Sequence, residues 1–293
     1  MEIEKEVSMK RVFCLVVILL LLGPISHGFA QREHYEISEE EFQASTDQPL
    51  EVILKIDAGE VVVKKGMDST VGRVEIRYTP RKFRQKIDFN EKTNRLKVHF
   101  DMKGWRSVDT DDDRAEVTVE LPYGVDILFD AHVKAGEVTM DMGGLRLKEY
   151  VYTNWAGEVE VRFDEPNPIT MDLLDINAKV GEATFVRLGN ARFKKADING
   201  GIGEMRVDFR GNVIDECKAK VDLDIGEATI ILPRDVGVKM RIGGGFSFLS
   251  EKNIDHSFYK EGSTYYSENY EDEEGTFYVR VSPGLGELNI ERE

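Results

Sequence analysis

The stretch NWAGEVEVRF, residues 154–163, places apolar residues at alternate positions on either side of a Gly-Glu pair. The same phrase, in which apolar residues flank Gly-Glu, recurs along the chain. Taking the glycine as position zero aligns the copies, which centre on Gly59, Gly136, Gly157, Gly181, Gly203, Gly226 and Gly286. Successive steps from 136 to 226 are 21, 24, 22 and 23 residues. This is an internal repeat of regular, though not rigid, period.

The residues around each glycine predict two short strands joined by a corner. Apolar residues alternate with polar ones on both sides, which is the period of two of a half-buried strand. Before the glycine we expect inward side chains at odd offsets, including Val180 and Ile202 directly before it, and after it at even offsets. The phase slips at Gly-Glu, so the chain must turn there. Glycine suits a turn because it accepts positive φ and close backbone approach.

Two strands and a corner cannot bury their apolar side alone, whereas stacked copies can. The pattern therefore predicts an all-β fold, a single-stranded parallel β-solenoid over residues 50–293 whose coils lie about 4.8 Å apart. Two interruptions are expected to be a hairpin insertion at 79–116 and a C-terminal cap at 246–278, which covers an open end of the stack. Because the spacing drifts, a globular β-sandwich is the alternative.

The first 30 residues have the features of an export signal. Lys10 and Arg11 precede a run of apolar residues, Val12–Leu22, that is too short to span a bilayer, which needs about 20. Small residues then lead to a predicted cleavage between Ala30 and Gln31. Met1 and Met9 are alternative starts. We expect an exported, periplasmic or extracellular protein with no transmembrane anchor after signal removal, beginning with a polar lead-in at 31–49.

Composition excludes some partners. The formal net charge is −16, and it stays there without the signal, whose basic and acidic residues balance. A strongly acidic chain argues against nucleic acid, whose phosphates need clustered Lys and Arg. Only Cys217 remains after the signal is removed, so no intramolecular disulfide is expected.

The glutamates that follow the glycines are the first candidate site. Stacked coils would bring like charges to about 4.8 Å, where repulsion is about 0.9 kcal/mol per pair in water. Solvation, the basic neighbours Lys134, Lys179 and Arg206, or a hard cation such as calcium could relieve it. No metal or other cofactor is required, and calcium is the one alternative. The members of this possible cation ladder are Glu137, Glu158, Glu182, Glu204 and Glu227.

A second candidate is a strip for partner binding on the outward face of the strand after the corner. An envelope protein or a glycan is the expected partner, and a solvated face of residues with high strand propensity is the alternative explanation. The strip consists of Thr139, Glu160, Thr184, Arg206 and Thr229.

Catalytic patterns are not found in the sequence, so no catalytic residue is predicted. Polysaccharide-cleaving β-solenoids need paired carboxylates, and Asp222 and Asp224 face no partner acids on neighbouring repeats. Cys217 has no base beside it. The histidines outside the signal lack metal-ligand spacing; they are His34, His99, His132 and His256.

Longer phrases carry a family resemblance. Residues 117–140, VTVELPYGVDILFDAHVKAGEVTM, combine an apolar strand, Leu-Pro, Gly-Val and a Gly-Glu corner. Residues 228–245, ATIILPRDVGVKMRIGGG, repeat this order, and GLGELNIE at 284–291 closes the series. The chain resembles the bacterial toastrack-type putative adhesins over residues 50–293. It is also similar to the extracytoplasmic C-terminal domain of cell-wall-antibiotic-response membrane proteins, although it has no transmembrane helix beyond the signal.

The resemblance implies a β-solenoid that mediates interactions at the cell envelope and has no known chemistry. We therefore expect an exported, acidic, non-enzymatic binding or scaffold module, adhesin-like in type. A carbohydrate-binding or carbohydrate-active β-helix protein and a calcium-stabilised structural protein are the alternatives.

Overall fold

The computed structural model describes residues 35–104, 114–243, 250–270 and 276–293. These residues form strands and connecting turns, with one short 3-10 turn at Leu188–Ala191. The prediction of an all-β fold is confirmed. Within the described ranges, no helix has the length and apolar character needed to cross a membrane. The predicted signal with its Ala30–Gln31 cleavage site lies outside these ranges.

The strands are of two kinds. Long strands carry the central repeats: β8 (Asp126–Asp141), β9 (Arg146–Arg162), β10 (Met171–Val186), β11 (Phe193–Asp208), β12 (Lys218–Leu232) and β17 (Thr276–Arg292). Shorter strands precede them: β1 (Glu36–Gln43), β2 (Leu50–Ile56), β3 (Gly59–Lys65), β4 (Val71–Tyr78), β5 (Phe83–Asn90), β6 (Arg95–Met102) and β7 (Ala115–Leu121). Four more lie before β17: β13 (Gly237–Ile242), β14 (Glu251–Ile254), β15 (Phe258–Glu261) and β16 (Thr264–Ser267).

The repeats stack with their glycines in register. The long strands pair in parallel in the order β8, β9, β10, β11, β12 and β17. β2 and β3 together form one further rung, because both pair in parallel with β8. The glycines that face one another across these pairs are Gly59, Gly136, Gly157, Gly181, Gly203, Gly226 and Gly286. The alignment of repeats made from the sequence is therefore the alignment found in the sheet.

Each long strand folds back at its glycine, so that a first arm before it faces a second arm after it. Within β9 and the residue that follows it, the rings of Tyr150 and Phe163 are 6.2 Å apart. Thirteen residues of straight strand would separate them by about 43 Å. The corner glycines have φ between +120° and +140°, which only glycine adopts readily. The core lies between the two arms and includes fully buried Tyr152, Phe185 and Phe209.

Antiparallel strands complete both ends of the stack, so the sheet is mixed, and the predicted parallel β-solenoid with a hairpin insertion and a cap is not confirmed in that form. At one end β6 and β7 pair in parallel with β2 and β3, and β5, β4 and β1 then add antiparallel. At the other end β13 and β14 pair in parallel with β17, and β16 and β15 add antiparallel. Tight turns join β5 to β6 and β15 to β16, and a chain that returns through a tight turn pairs antiparallel.

Two predicted segments differ from expectation in their relation to the sheet. The hairpin at 79–116 contains β5 and β6, but β6 pairs with β2, so the hairpin belongs to the sheet and is not an insertion outside it. The polar lead-in at 31–49 contains a strand, β1, that pairs with β4. Of the predicted cap at 246–278, residues 250–270 and 276–278 are described. There the β15–β16 hairpin covers the edge of β13, and Phe277 is fully buried.

Buried asparagines close the edge opposite the glycines, where each second arm returns to the next first arm. The Asn167 side chain donates to the carbonyls of Leu147 and Ala191 and accepts from the Leu147 amide. Asn190 donates to the Phe163 carbonyl and accepts from the Asn212 amide. Buried backbone groups in turns need such partners. The sequence repeat, which is aligned on glycine, does not reveal them.

Adding a single methyl group at a central corner should destabilise the stack. At Gly203, φ is +140° and a Cβ would lie far closer than 3.0 Å to the Gly181 carbonyl oxygen. We expect Gly203→Ala to lower the free energy of unfolding by about 2–4 kcal/mol, since backbone strain and a backbone clash add. Urea unfolding followed by circular dichroism measures this loss.

Two control substitutions separate the effect of backbone strain from that of the steric clash with the neighbouring carbonyl. Gly104 has φ +84° with open space around it, so Gly104→Ala should cost about 1 kcal/mol. Gly243 has neither restriction, so Gly243→Ala should be close to neutral. Equal losses for all three variants would show that close glycine packing does not stabilise the stack.

Candidate binding surface

The predicted glutamates form one continuous row along the corner edge, where the long strands turn. Each faces the next in register across the parallel strands, and all are exposed to solvent. The row consists of Glu137, Glu158, Glu182, Glu204 and Glu227. Glu60 and Glu287 extend it at the two ends. We call it the glutamate row.

Two of the three basic residues expected to neutralise the row, Lys134 and Arg206, pair with other carboxylates. Lys134 Nζ lies 2.6 Å from Asp57 Oδ1, and an Arg206 guanidinium nitrogen lies 3.9 Å from Glu291. Among the described residues, no basic side chain pairs with Glu182 or Glu204. Water solvates these carboxylates because they are exposed.

Among the described residues, side-chain partners of the row are found only at its β17 end. Asn289 Nδ2 donates to Glu227 Oε1 at 3.1 Å, and Asn253 Nδ2 donates to Glu287 Oε1 at 2.9 Å. In the described part of the chain, no three His, Cys, Asp or Glu side chains converge as a metal site would require. The glutamates form a line along the edge and not a cage around a point.

The predicted strip lies beside the glutamate row, on the outer face of the second arms. Its members also stack in register: Thr139, Glu160, Thr184, Arg206 and Thr229. The structure therefore brings the two sequence-predicted sets together, with one inward residue between them on each strand. Glu160 forms an ion pair with Arg162 on its own strand. The other members of the strip are three threonines and Arg206, so the strip is mostly neutral and presents hydroxyl groups.

A row of exposed apolar side chains runs along the other side of the glycines, and the sequence analysis placed it wrongly. The residues directly before the glycines were predicted to point inward. The corner instead carries them around the outside of the turn. The exposed fractions are 50% for Val180, 54% for Ile202, 45% for Ile225 and 39% for Leu285. We call these four the apolar row. Trp155, 59% exposed, lies one position earlier in its repeat.

The corner edge thus presents an apolar row and an acidic row separated by the width of one glycine. Four large apolar side chains in register form a contiguous exposed patch, and such patches on soluble proteins mark interaction sites. The phase slip at Gly-Glu was the sequence signal from which the apolar row could have been predicted. A slip means that the side chain before the glycine leaves the inward face.

Asp57 anchors the β2–β3 rung at this edge. Partial burial disfavours its charged form, but hydrogen bonds from Lys134 Nζ and the Met102 amide, with the charge of Lys134, outweigh that effect. The pKa of Asp57 is therefore lowered from its usual value near 4. The contact links the corner of β2–β3 to β8 and to the end of β6.

The groups considered for chemistry are dispersed in the described structure. Cys217 is buried, and burial raises the pKa of its thiol to about 12, so it is a poor nucleophile at neutral pH. Asp222 pairs with Lys220, while Asp224 is exposed. His132 lies 3.0 Å from Asp130 on the first-arm face. His34 falls outside the described residues.

Removing one charge from the middle of the glutamate row should stabilise the protein. Glu204 faces Glu182 and Glu227, so Glu204→Gln removes the repulsion between Glu204 and these two like charges. We expect the free energy of unfolding to rise by about 1 kcal/mol at low salt, because exposed charges repel weakly in water. The gain should vanish in about 1 M NaCl. Urea unfolding at both salt concentrations tests this, with Glu91→Gln in an exposed turn as control. A loss of stability would mean that a bound cation bridges the row.

Asp57 should contribute stability that depends on pH. Its folded pKa is lowered, so the contribution is present above the unfolded pKa of about 3.9 and is lost as pH falls through the folded value. We expect Asp57→Asn to lower the free energy of unfolding by about 1 kcal/mol or less at pH 7. The difference from wild type should shrink below about pH 4. A difference that is constant between pH 3 and pH 7 would contradict this assignment.

A family model matches the N-terminal part of the chain. Residues 30–173 match the family model described as "N-terminal domain of toast_rack, DUF2154". No curated protein sequence matches the chain. A crystal structure of a putative cell adhesion protein from Clostridium sporogenes ATCC 15579 is 19% identical, with a TM-score of 0.44 over 88% of this chain and 100% of that one.

A second solved structure, a putative adhesin from Bacteroides fragilis NCTC 9343, is 11% identical with a TM-score of 0.39 over 87% of this chain and 97% of that one. The matched family segment begins before β1 and reaches the start of β10. It includes the end of the stack built from β1 to β7 and the first long strands. Residues 30–173 therefore match the toast-rack family, which agrees with the toastrack-type putative adhesins that the repeats resemble.

Proposed function

We propose that this protein is an exported, non-enzymatic, adhesin-like binding module of the bacterial cell envelope, and that its corner edge binds a protein partner. The observation that carries the proposal is the apolar row beside the glutamate row. Ile202 and Ile225 expose 54% and 45% of their surface although each faces the next across paired strands. Apolar side chains in such a continuous exposed row gain free energy when a partner covers them.

The charge of the edge indicates the partner's chemistry. A segment that covers the apolar row also lies close to exposed Glu182, Glu204 and Glu227. Such a segment needs apolar side chains flanked by Lys or Arg. An amphipathic helix fits this description, because its turns repeat every 5.4 Å, close to the rung spacing of about 4.8 Å. Over four rungs the two periods differ by about 2 Å, which side-chain movement can accommodate.

A second copy of this chain is a poorer occupant of the same edge. Each copy has a net charge of −16 and brings its own glutamate row to the contact. Like charges brought together across an interface oppose association. The proposed partner is therefore a different, basic protein.

The architecture suits a scaffold. We propose that the parallel stack is a β-solenoid with one coil per repeat, closed at its ends by the antiparallel strands. Such a stack presents its outward rows at a fixed spacing along one axis. Export is supported by the sequence of residues 1–30. A non-catalytic role agrees with the buried thiol of Cys217 and the dispersed carboxylates and histidines.

Site-specific photo-cross-linking in the native host tests the corner edge. A photoreactive phenylalanine analogue replaces Ile202, an exposed residue whose side chain supports no core contact. We expect a specific cross-linked adduct with another envelope protein. The same replacement at Asn212, exposed on the opposite edge, should give no such adduct. The adduct should fall at least about fivefold when Glu182, Glu204 and Glu227 are changed to glutamine, since the charge attraction is then lost.

Other outcomes contradict the proposal. Adducts of equal yield at residues 202 and 212 would mean non-specific contact. Absence of an adduct at residue 202, with the folded protein present in the envelope, would mean that the corner edge is not a binding surface. An adduct with a second copy of the chain would overturn the assignment of a basic partner.

A further inference from the structure

A basic face lies on the outer side of the first arms, in a protein whose net charge is −16. Four adjacent strands, β11, β12, β17 and β13, contribute to it in register. The basic residues that line it are Lys195, Lys218, Lys220, Arg280, Lys239 and Arg241. They enclose a shallow groove of about 610 Å³, a size typical of ligand sites. The groove lies on a different surface from the corner edge.

The side chains of this face form two parallel rows across the strands. One row contains Lys195, Lys218, Tyr278 and Lys239; the other contains Asp197, Lys220, Arg280 and Arg241. The residues between the rows, Ala196, Ala219, Val279 and Met240, point into the core. Strand alternation therefore directs both rows outward, into solvent.

The inner part of this face has cations without carboxylate partners. At the β11 side, Lys195 pairs with Asp197 and Lys220 pairs with Asp222. Arg280 and Arg241 face each other directly across β17 and β13. Neither has a carboxylate partner among the described residues. Like charges directly opposite in a sheet are destabilising, so this pair favours a bound anion between the two side chains.

Aromatic contacts organise the remaining lysines. Lys218 Nζ lies 6.0 Å from the centroid of the Tyr278 ring, and Lys239 Nζ lies 5.5 Å from that of Tyr266. Tyr278 is half-buried and lies in register between Lys218 and Lys239. A flat aromatic surface beside cations can pack against the apolar face of a sugar ring while the cations bind acidic groups.

The length of the basic face favours a ligand that carries several charges along its own length. Four strands at about 4.8 Å spacing spread the cations over about 14 Å, which is longer than a single anion. Arginine forks bind carboxylate or phosphate through paired hydrogen bonds. Single-stranded nucleic acid needs a series of aromatic rings on which successive bases stack. Within the two rows on β11, β12, β17 and β13 the one aromatic residue is Tyr278; Tyr266 and Tyr259 continue the first row beyond β13, where they stack on each other. The net charge of −16 also repels a long polyanion that extends beyond the groove.

We propose that this face binds a short acidic glycan segment, whose carboxylate or phosphate groups lie between Arg280 and Arg241 and one of whose sugar rings packs on Tyr278. The inference adds a second binding surface to the proposed binding function. It uses none of the residues of the corner edge, so each surface can fail its test independently.

Titration calorimetry of the purified protein with oligogalacturonate at low salt tests the proposal. We expect binding that the double variant Arg241→Gln/Arg280→Gln weakens at least about tenfold and that about 0.5 M NaCl abolishes. The control variant Lys86→Gln/Lys97→Gln changes the net charge equally, on the outer side of β5 and β6. It should bind within about twofold of wild type. Thermal unfolding verifies that both variants are folded, as expected for outward-facing substitutions.

Three further ligands separate the possible sources of the anion. Methyl-esterified oligogalacturonate, which is neutral, should not bind. A phosphorylated oligosaccharide that replaces oligogalacturonate with the same dependence on Arg241 and Arg280 would support the proposal and identify phosphate as the preferred group. Inorganic phosphate should bind more weakly than either oligosaccharide.

Several results would overturn the proposal. Equal binding by wild type and the Arg241→Gln/Arg280→Gln variant would exclude this face. Equal weakening by the Lys86→Gln/Lys97→Gln control would reduce the effect to general charge. Tighter binding of an oligothymidylate than of either acidic oligosaccharide would assign the face to nucleic acid instead.

Discussion

At each rung from β8 to β17, the carbonyl oxygen of one corner glycine occupies the space where a β-carbon of the next corner glycine would lie. This close backbone contact sets the path of the chain. It requires glycine at the corner, it fixes the register because only glycine can face glycine there, and it folds each strand back so that two arms share a core. Once register is fixed at the corner, every row of outward side chains is fixed with it. The glutamate row, the strip and the apolar row are consequences of one repeated contact.

Much of this architecture could be predicted from the sequence repeat. The alternation of apolar residues and the glycine spacing indicated strands, a corner and stacked copies, and the in-register rows followed. The position before the glycine was misplaced because a period of two was continued one residue too far. At Val180 the chain has already left the inward face, which the phase slip itself indicated. If the phase slip had been applied strictly, each residue of the apolar row would have been assigned to the turn of its own repeat.

Other features have no signal in a repeat aligned on glycine. Asn167 and Asn190 close the opposite edge from loops whose lengths differ, so they fall at no constant offset. The basic face arises where β17 lies beside β13, although Arg280 and Arg241 are 39 residues apart and belong to different parts of the repeat. Their approach depends on strand order, which pairwise spacing along the chain does not encode. The net charge of the chain is negative, and composition alone does not reveal a local basic face.

The order of strands at the β17 end has a consequence for biogenesis. β17 follows all the other described strands in sequence, yet it lies between β12 on one side and β13 and β14 on the other. Until its residues are available, β12 has an open edge and β13 and β14 have no parallel neighbour. The chain therefore cannot finish this end by adding strands in the order of synthesis. In the export proposed above, β17 would act as the closing strand, because this end of the sheet is completed only after β12, β13 and β14 have all been made.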